Sequence, residues 1–275
     1  MSLILELKRL ISSQKITQVI RDCLIKKHLK AQRKITRQEL VDFIITLQPK
    51  EADKSLIRIG SDGDGGYLIP NDLNGCSNCF SPGVSSIADF EVDLNKLGIK
   101  CYLADYSLDS PPVSGVGIDF EKKFIGSKES NIYMTLGNWV KRKAPNDSDL
   151  ILQMDIEGSE YAAILASETQ LLEKFRILVI EFHQLDCIRY PMGFELIKLT
   201  FEKILLSFEV VHIHPNNALL PIHYLGIQIP PIMEFTFLRK DRFIFKKYAT
   251  EFPHPLDKKN VLRNQDIVLP EFWRA

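Results

Sequence analysis

The chain has 275 residues, with 35 Lys+Arg against 35 Asp+Glu, 45% hydrophobic and 25% charged residues. That balance is typical of a soluble globular protein with room for one sizeable domain, and it excludes disorder or a fibrous repeat for the bulk of the chain. A formal net charge of +0 leaves no polyanion-binding signature, which argues against a general nucleic-acid binder.

At the N-terminus, Glu6, Lys8 and Arg9 break the first apolar run before it reaches the roughly 7–15 residues of a signal-peptide core. No stretch approaches the roughly 20 apolar residues that span a bilayer. Cys23, Cys76, Cys79, Cys101 and Cys187 are odd in number and scattered, so they read as reduced thiols in the cytoplasm. Cys76 and Cys79 form a CxxC without a second CxxC or a His pair, a strand-entry coincidence more than a metal or redox site. Leu3, Leu7, Leu10 and Ile11 recur at helical spacing, and Thr36 with Glu39 makes a capping box, so residues 1–50 read as a helical extension. Between Lys8 and Arg37 this extension is strongly basic. Two readings stand: a solvated helical face, or a basic surface for peripheral contact with an anionic membrane or a phosphorylated substrate. The same helices are a reasonable place for a homodimer contact.

Residues 51–245 alternate short apolar runs with helices, the texture of a mostly parallel α/β sheet covered on both faces. The predicted strands are Cys79–Ser81, Cys101–Asp105, Leu150–Asp155, Ile177–Phe182, Glu209–His214 and Met233–Arg239. Between the first two, Ile87, Phe90, Leu94 and Leu97 mark one helix face, with Ser86 and Asp89 as a capping box and Gly98 as the stop. Phe194, Ile197, Phe201, Ile204, Leu205 and Phe208 define a second amphipathic helix. Residues 246–275 are a Pro-rich polar tail, with Phe252 and Trp273 as anchors onto the body.

In an open α/β sheet ligands sit beyond the carboxyl ends of the strands, so the residues that finish each strand are informative. The first predicted strand ends in Ser81-Pro-Gly83-Val-Ser85, a tight turn whose glycine lets backbone approach a ligand. The second ends in Asp105, placed either to accept ribose hydroxyls or to cap the turn through Ser107 and Asp109. The third ends in Asp155-Ile-Glu157, two carboxylates on one side if the strand continues that far. Glu181 with His183, then His212 with His214 before Asn216 and Asn217, repeat the spacing. Burying so many acid and imidazole groups without a ligand, metal or mutual pairing would cost several kcal/mol. His28, His223 and His254 lack such company and read as surface residues.

Upstream, Asp62-Gly-Asp64-Gly-Gly66-Tyr67 is either an Asp-x-Asp metal clamp for a nucleotide sugar or a Gly-rich hairpin. It is not an EF-hand, because the twelfth position from Asp62 is Leu73. Neither a GxGxxG fingerprint nor a GxxxxGK[ST] phosphate loop occurs in the chain.

Taken in order, DGDGGYLIP, CFSPGVS, LADYS, QMDIEGSEY, VIEFHQL, HIHPNN and EFTFLRKD resemble the FkbM-like family of S-adenosylmethionine-dependent methyltransferases, over roughly residues 56–242. The resemblance implies the class I methyltransferase fold, a Rossmann-like seven-stranded sheet whose last strand is antiparallel. It also implies S-adenosylmethionine as methyl donor and O-methylation of a sugar or other small hydroxylated metabolite. Carried onto this chain, Ser81, Gly83 and Ser85 would face the methionine part of the donor and Asp105 its ribose. Asp155 would lie near the sulfonium, and Glu157, Glu181, His183 and His214 would face the acceptor. The first loop has a single glycine where the wider methyltransferase pattern has several, so Asp64, Gly65, Gly66 and Tyr67 are assigned to cover the donor's amino-acid end.

Proton removal from a weakly acidic hydroxyl needs a base, for which His183 or His214 serves, with Asp155 and Glu181 beside them. Alternatively Asp155, Glu181 and His183 hold a Mg²⁺ or Mn²⁺ that lowers the hydroxyl's pKa. The rival readings are a metal-dependent glycosyltransferase using Asp62 and Asp64, and a non-catalytic scaffold of the same fold.

Overall fold

The computed structural model describes residues 34–275. The helical periodicity of Leu3, Leu7, Leu10 and Ile11, Cys23, His28 and most of the basic stretch lie outside the described residues. No helix among the described residues is long and apolar enough to cross a membrane.

Helix α1 (Arg37–Thr46) opens the described chain with the expected capping box: Thr36 Oγ1 accepts from the Glu39 N–H, and the Glu39 carboxylate accepts from the Thr36 N–H. Its Leu40, Phe43 and Ile44 are buried in the main core. A two-stranded antiparallel hairpin follows, Leu56–Gly60 against Gly66–Pro70, so the glycine-rich segment is the turn of a hairpin. Arg58 closes that turn, with Nε donating to the Ser61 carbonyl at 2.8 Å and Nη2 to the Gly63 carbonyl at 2.9 Å.

The main sheet comprises β1 (Asn78–Pro82), β2 (Lys100–Ala104), β3 (Ile118–Glu121), β4 (Leu150–Met154), β5 (Phe175–Phe182), β6 (Phe208–Pro215) and β7 (Met233–Arg239). Their order is β6-β7-β5-β4-β1-β2-β3. All neighbours are parallel except β7, which is antiparallel to both β5 and β6. This is the expected seven-stranded class I methyltransferase sheet. β3 falls in the segment between residues 107 and 130, where the sequence shows no strand signal; its four residues are all only half-buried, as an edge strand leaves them. The connecting helices are α2 (Asp89–Lys96), α3 (Leu136–Lys143), α4 (Glu160–Ala166), α5 (Thr169–Leu172) and α6 (Pro191–Leu205).

Alternation along each strand divides the core into two layers. Phe80, Tyr102, Leu152, Leu178 and Ile180 face α1, α3, α4 and α6, where Phe43 and Phe201 sit with their ring centroids 6.0 Å apart. Cys79, Cys101, Ile151, Ile177 and Val179 face α2 and the hairpin, through Phe90, Leu94, Tyr67 and Ile69. Trp273 and, in part, Phe252 do anchor the tail on the first layer.

Helix α2 differs from its sequence reading. It begins at Asp89 with Ala88 as N-cap and no side-chain cap, so Ser86 and Asp89 make no capping box. Ile87 and Leu97 are 40% and 58% exposed, and the buried face is Phe90, Glu91 and Leu94. Residues 84–88, after the left-handed turn at Gly83, are non-helical, so the helix starts only at Asp89 and Ile87 lies outside it.

Candidate active site

β1 and β4 are neighbours, with β2 and β3 on one side and β5, β7 and β6 on the other, so the strand order reverses between them. A crevice beyond the carboxyl ends of the strands at such a reversal is where open α/β sheets bind ligands. Gly83 and Asp155 meet at that point. Gly83 has φ +88°, its N–H donates to the Ala104 carbonyl at 2.9 Å, and a Cβ there would lie 1.5 Å from the Asp155 carbonyl oxygen. Only glycine lets β1 exit this close to β4, and that contact fixes where the Asp155 side chain starts.

Strand β4 ends at Met154, so the alternation that would place Asp155 and Glu157 on one side does not continue. Glu157 instead takes a left-handed φ of +55° with its side chain 85% exposed. The turn still returns its carboxylate to the site, 3.3 Å from His183 Nε2.

Glu181 is the last residue but one of β5 and His183 directly follows the strand, buried to 4% and 8% exposure. His183 Nε2 lies 3.3 Å from Glu181 Oε1 and 3.8 Å from Asp155 Oδ1. Ligand atoms of Asp155, Glu181 and His183 all fall within 4.8 Å of one another. His183 Nδ1 is 3.2 Å from Glu160 Oε1, which also accepts the N–H groups of Ile156 and Gly158 at 3.1 and 3.0 Å. The ring's orientation is thereby set from α4, and the Tyr161 hydroxyl holds the His183 carbonyl at 2.7 Å.

The row continues across the sheet. Glu181, Glu234 and His214 are directly opposite one another on β5, β7 and β6. Asn216 Nδ2 donates to both oxygens of Glu181 at 3.2 and 3.3 Å, and Asn260 Nδ2 donates to Glu234 Oε1 at 2.6 Å. Asp257, from the tail, reaches back to β6 with Oδ1 2.9 Å from His212 Nε2 and Oδ2 3.6 Å from His214 Nδ1.

His254, read from sequence as a surface residue, is half-buried beside this group. Its ring centroid is 6.0 Å from that of His212, and its N–H donates to Asp257 Oδ2 at 2.7 Å. His223 is exposed, as expected.

Burial and crowding of like charges shape the electrostatics. Desolvation, then the charges of Glu157, Glu160 and Asp64, lift the Asp155 carboxyl to about 7, against the pull of His183. Desolvation and the Asp155 and Glu234 charges hold Glu181 well above the usual carboxylate range. His183 is raised: burial would lower it, but Glu160, Asp155 and Glu157 outweigh burial. At His214, burial is likewise outweighed, by Asp257 first and then Glu234 and Asp266, and its pKa is raised to about 9. Asp257 is held far below its ordinary range despite burial, because His212 and His214 flank it.

The residues assigned to the donor are brought together only in part. Asp64, Tyr67, Gly83 and Ser85 line one inner cavity with Gly65, Gln153 and Asp155. Its volume is about 30 Å³, room for a water-sized molecule. Asp64 and Ile87 also line an adjoining outer cleft of about 530 Å³, within the range of small-molecule sites.

Ser81 lies beneath the cavity at 0% exposure, its hydroxyl bonded to Glu91 and to Gln153. Gly66 is buried in the hairpin, where a Cβ would meet the Ser61 carbonyl at 2.0 Å. Asp105 stands just past β2 and uses Oδ1 to accept from the N–H and hydroxyl of Ser107 at 2.7 and 2.6 Å, the turn cap that sequence left as an alternative. Asp62 is 88% exposed, with Oδ1 4.0 Å from Arg58 Nε.

Sequence reasoning passed over Glu91, Glu160, Glu234 and Asp257. Glu234 had a signal, a lone acid in the apolar run MEFTFL; Asp257, in a polar tail, had none.

The strand order, the single antiparallel strand and the switch-point crevice define a class I methyltransferase fold. No family model matches the sequence, and no curated protein matches it. Among solved structures the chain is similar to a fibrillarin/Nop5p complex at 14% identity, over 60% of this chain and 73% of that one, with a TM-score of 0.36. It is also similar to the Methanococcus jannaschii fibrillarin pre-rRNA processing protein at 10% identity, over 68% and 83%, with a TM-score of 0.37. A predicted O-methyltransferase from Agrobacterium tumefaciens matches at 10% identity, over 62% and 77%, with a TM-score of 0.32. Likeness at this level carries neither substrate nor chemistry to this chain.

Proposed function

We propose that this protein is an S-adenosylmethionine-dependent O-methyltransferase of the FkbM-like type, acting on a hydroxyl of a sugar or other small hydroxylated metabolite. The observation that carries the reading is the convergence of Asp155, Glu181 and His183 within 4.8 Å at the switch point, beside the Gly83 turn.

The residues fit a bulky polar donor in kind: a glycine turn that admits backbone contact, and a buried Asp155 Oδ1 with no hydrogen-bond partner among the described residues. Gly83, Val84, Ser85, Asp64 and Tyr67 would hold the donor's amino-acid end, with Asp105 at the next strand end for a ribose. Asp64 and Ile87, which line both the inner cavity and the outer cleft, would stand along the donor's length. When bound, S-adenosylmethionine supplies an electrophilic methyl, so the acceptor oxygen forms the new C–O bond while the C–S electron pair returns to sulfur.

This chain's own residues do the rest. Asn216 and Glu160 fix Glu181 and His183, so the cluster meets the acceptor already oriented. Asp155, whose carboxyl is lifted to about 7, lies near the protonation balance that suits taking the hydroxyl's proton at neutral pH. His214 is tied to Asp257 on the far side of Glu234, which makes it a support for the acceptor wall more than the base.

Isothermal titration with S-adenosylmethionine tests the reading, alongside Asp105→Ala and a nucleotide sugar. Micromolar binding weakened by the substitution is expected; saturable binding of the nucleotide sugar alone would replace this reading with glycosyl transfer through Asp62 and Asp64.

A further inference from the structure

The Asp155–Glu181–His183 cluster poses a problem of counting. His183 Nδ1 is committed to Glu160 Oε1, an oxygen that also accepts two backbone N–H groups. Nδ1 therefore carries a proton, and Nε2 is left facing Glu181 and Glu157 at 3.3 Å each and Asp155 at 3.8 Å. A proton on Nε2 satisfies one of these carboxylates and leaves the others crowded together. Among the described residues Asp155 Oδ1 is buried without a hydrogen-bond partner, and Glu181 is 4% exposed with the Asn216 amide donating to its oxygens.

A cation in place of that proton answers all of them at once. A ligating imidazole ordinarily donates its other N–H to a carboxylate, as His183 does to Glu160. Octahedral donors about 2.1 Å from an ion are separated by roughly 3 Å in adjacent positions and roughly 4 Å in opposite ones. The observed 3.3 and 3.8 Å, with an outer limit of 4.8 Å, need only small side-chain adjustments to reach that arrangement.

We propose that Asp155 Oδ1, Glu181 Oε1 and His183 Nε2 form a site for one divalent cation of the magnesium or manganese type, with open positions that chelate two neighbouring oxygens of the acceptor. Two carboxylates and one imidazole are the donor set for such an ion, and three protein ligands leave about three positions of an octahedron free. The substrate class follows: an acceptor with adjacent oxygens, such as a vicinal diol. The ion's role rests on the methyl-transfer reading, whereas its binding does not. It would lower the pKa of the chelated hydroxyl, whose proton leaves by way of Glu157, the member of the group open to solvent.

The test is titration of the chelator-stripped full chain with Mn²⁺, followed by the loss of the free-ion electron paramagnetic resonance signal, without donor or acceptor. One site is expected, weakened at least tenfold by Asp155→Asn and by Glu181→Gln and unchanged by Asp62→Asn. Thermal unfolding in chelator checks that each variant is folded. A nitrogen coupling to the bound Mn²⁺ that disappears in His183→Gln is expected, and it keeps the test decisive if an acid variant fails to fold. No bound ion at millimolar Mn²⁺ would overturn the proposal. So would a site lost in Asp62→Asn and kept in Asp155→Asn, which would place the cation on the hairpin. S-adenosylmethionine titration in chelator reads the donor separately, so failure of the metal site and failure of methyl transfer are told apart.

Discussion

The His214–Asp257 pair joins strand β6 to the tail, and its contribution to stability has a definite pH dependence. His214 is 3% exposed, its Nδ1 lies 3.6 Å from Asp257 Oδ2, and Glu234 and Asp266 add to the negative field around it. These neighbours raise its pKa from 6.5 to about 9. The folded state therefore holds a proton that the unfolded chain releases at lower pH. The stabilisation is complete below about pH 6.5 and is lost as pH rises through about 9. At about 1.4 kcal/mol per pKa unit, this rise corresponds to roughly 3 kcal/mol. Asp257 is ionised throughout that window, because its own pKa is depressed.

Urea unfolding at intervals from pH 6 to 10, on wild type and His214→Gln, measures the effect. The difference between them should shrink by roughly 3 kcal/mol across the range, with a slope approaching about 1.4 kcal/mol per pH unit in its middle. A difference that stays constant with pH would show that His214 is neutral in the folded protein and refute the reasoning.

Two further outcomes test the architecture. Gly83→Ala adds the roughly 1–2 kcal/mol cost of a left-handed alanine to a Cβ placed 1.5 Å from the Asp155 carbonyl. Thermal unfolding should show a loss above about 2 kcal/mol, and S-adenosylmethionine affinity should fall at least tenfold because Asp155 is displaced. Trp273→Ala empties a fully buried position against Phe235 and should cost about 3–5 kcal/mol in chemical denaturation; a cost below 1 kcal/mol would mean that the tail is not part of the core.

Six of the seven main strands were legible because each is a short apolar run with a polar terminus, the pattern that burial on both faces imposes. β3 was not, because Ile118–Glu121 alternates polar and apolar residues at an edge and stays half-buried throughout. The members of the metal-like cluster were legible for the same reason as the strands, since Asp155, Glu181 and His183 each interrupt or follow an apolar run. What holds them was not. Glu160 acts from a helix turn, and Glu234 meets Glu181 only through antiparallel pairing of β7 with β5. Asp257 arrives from residues that resemble any polar tail. Pairing between distant segments leaves no local mark, and neither does the turn after Gly83 that displaces the start of α2.

The way the tail closes on α1 has a consequence for how the chain is made. Gln48 Nε2 donates to the Phe272 and Arg274 carbonyls at 3.2 and 2.9 Å, Arg37 stacks 5.0 Å from the Phe272 ring, and the Trp273 indole N–H donates to the Gln228 carbonyl at 3.0 Å. The first described helix is thus completed by residues 272–274, more than two hundred positions further along the chain. During synthesis the apolar side of α1, with Leu40, Phe43 and Ile44, must wait roughly 150 residues for Phe194 and Phe201 of α6, and longer still for the tail. That interval is the one in which a growing chain is most open to capture by a chaperone or by another copy of itself.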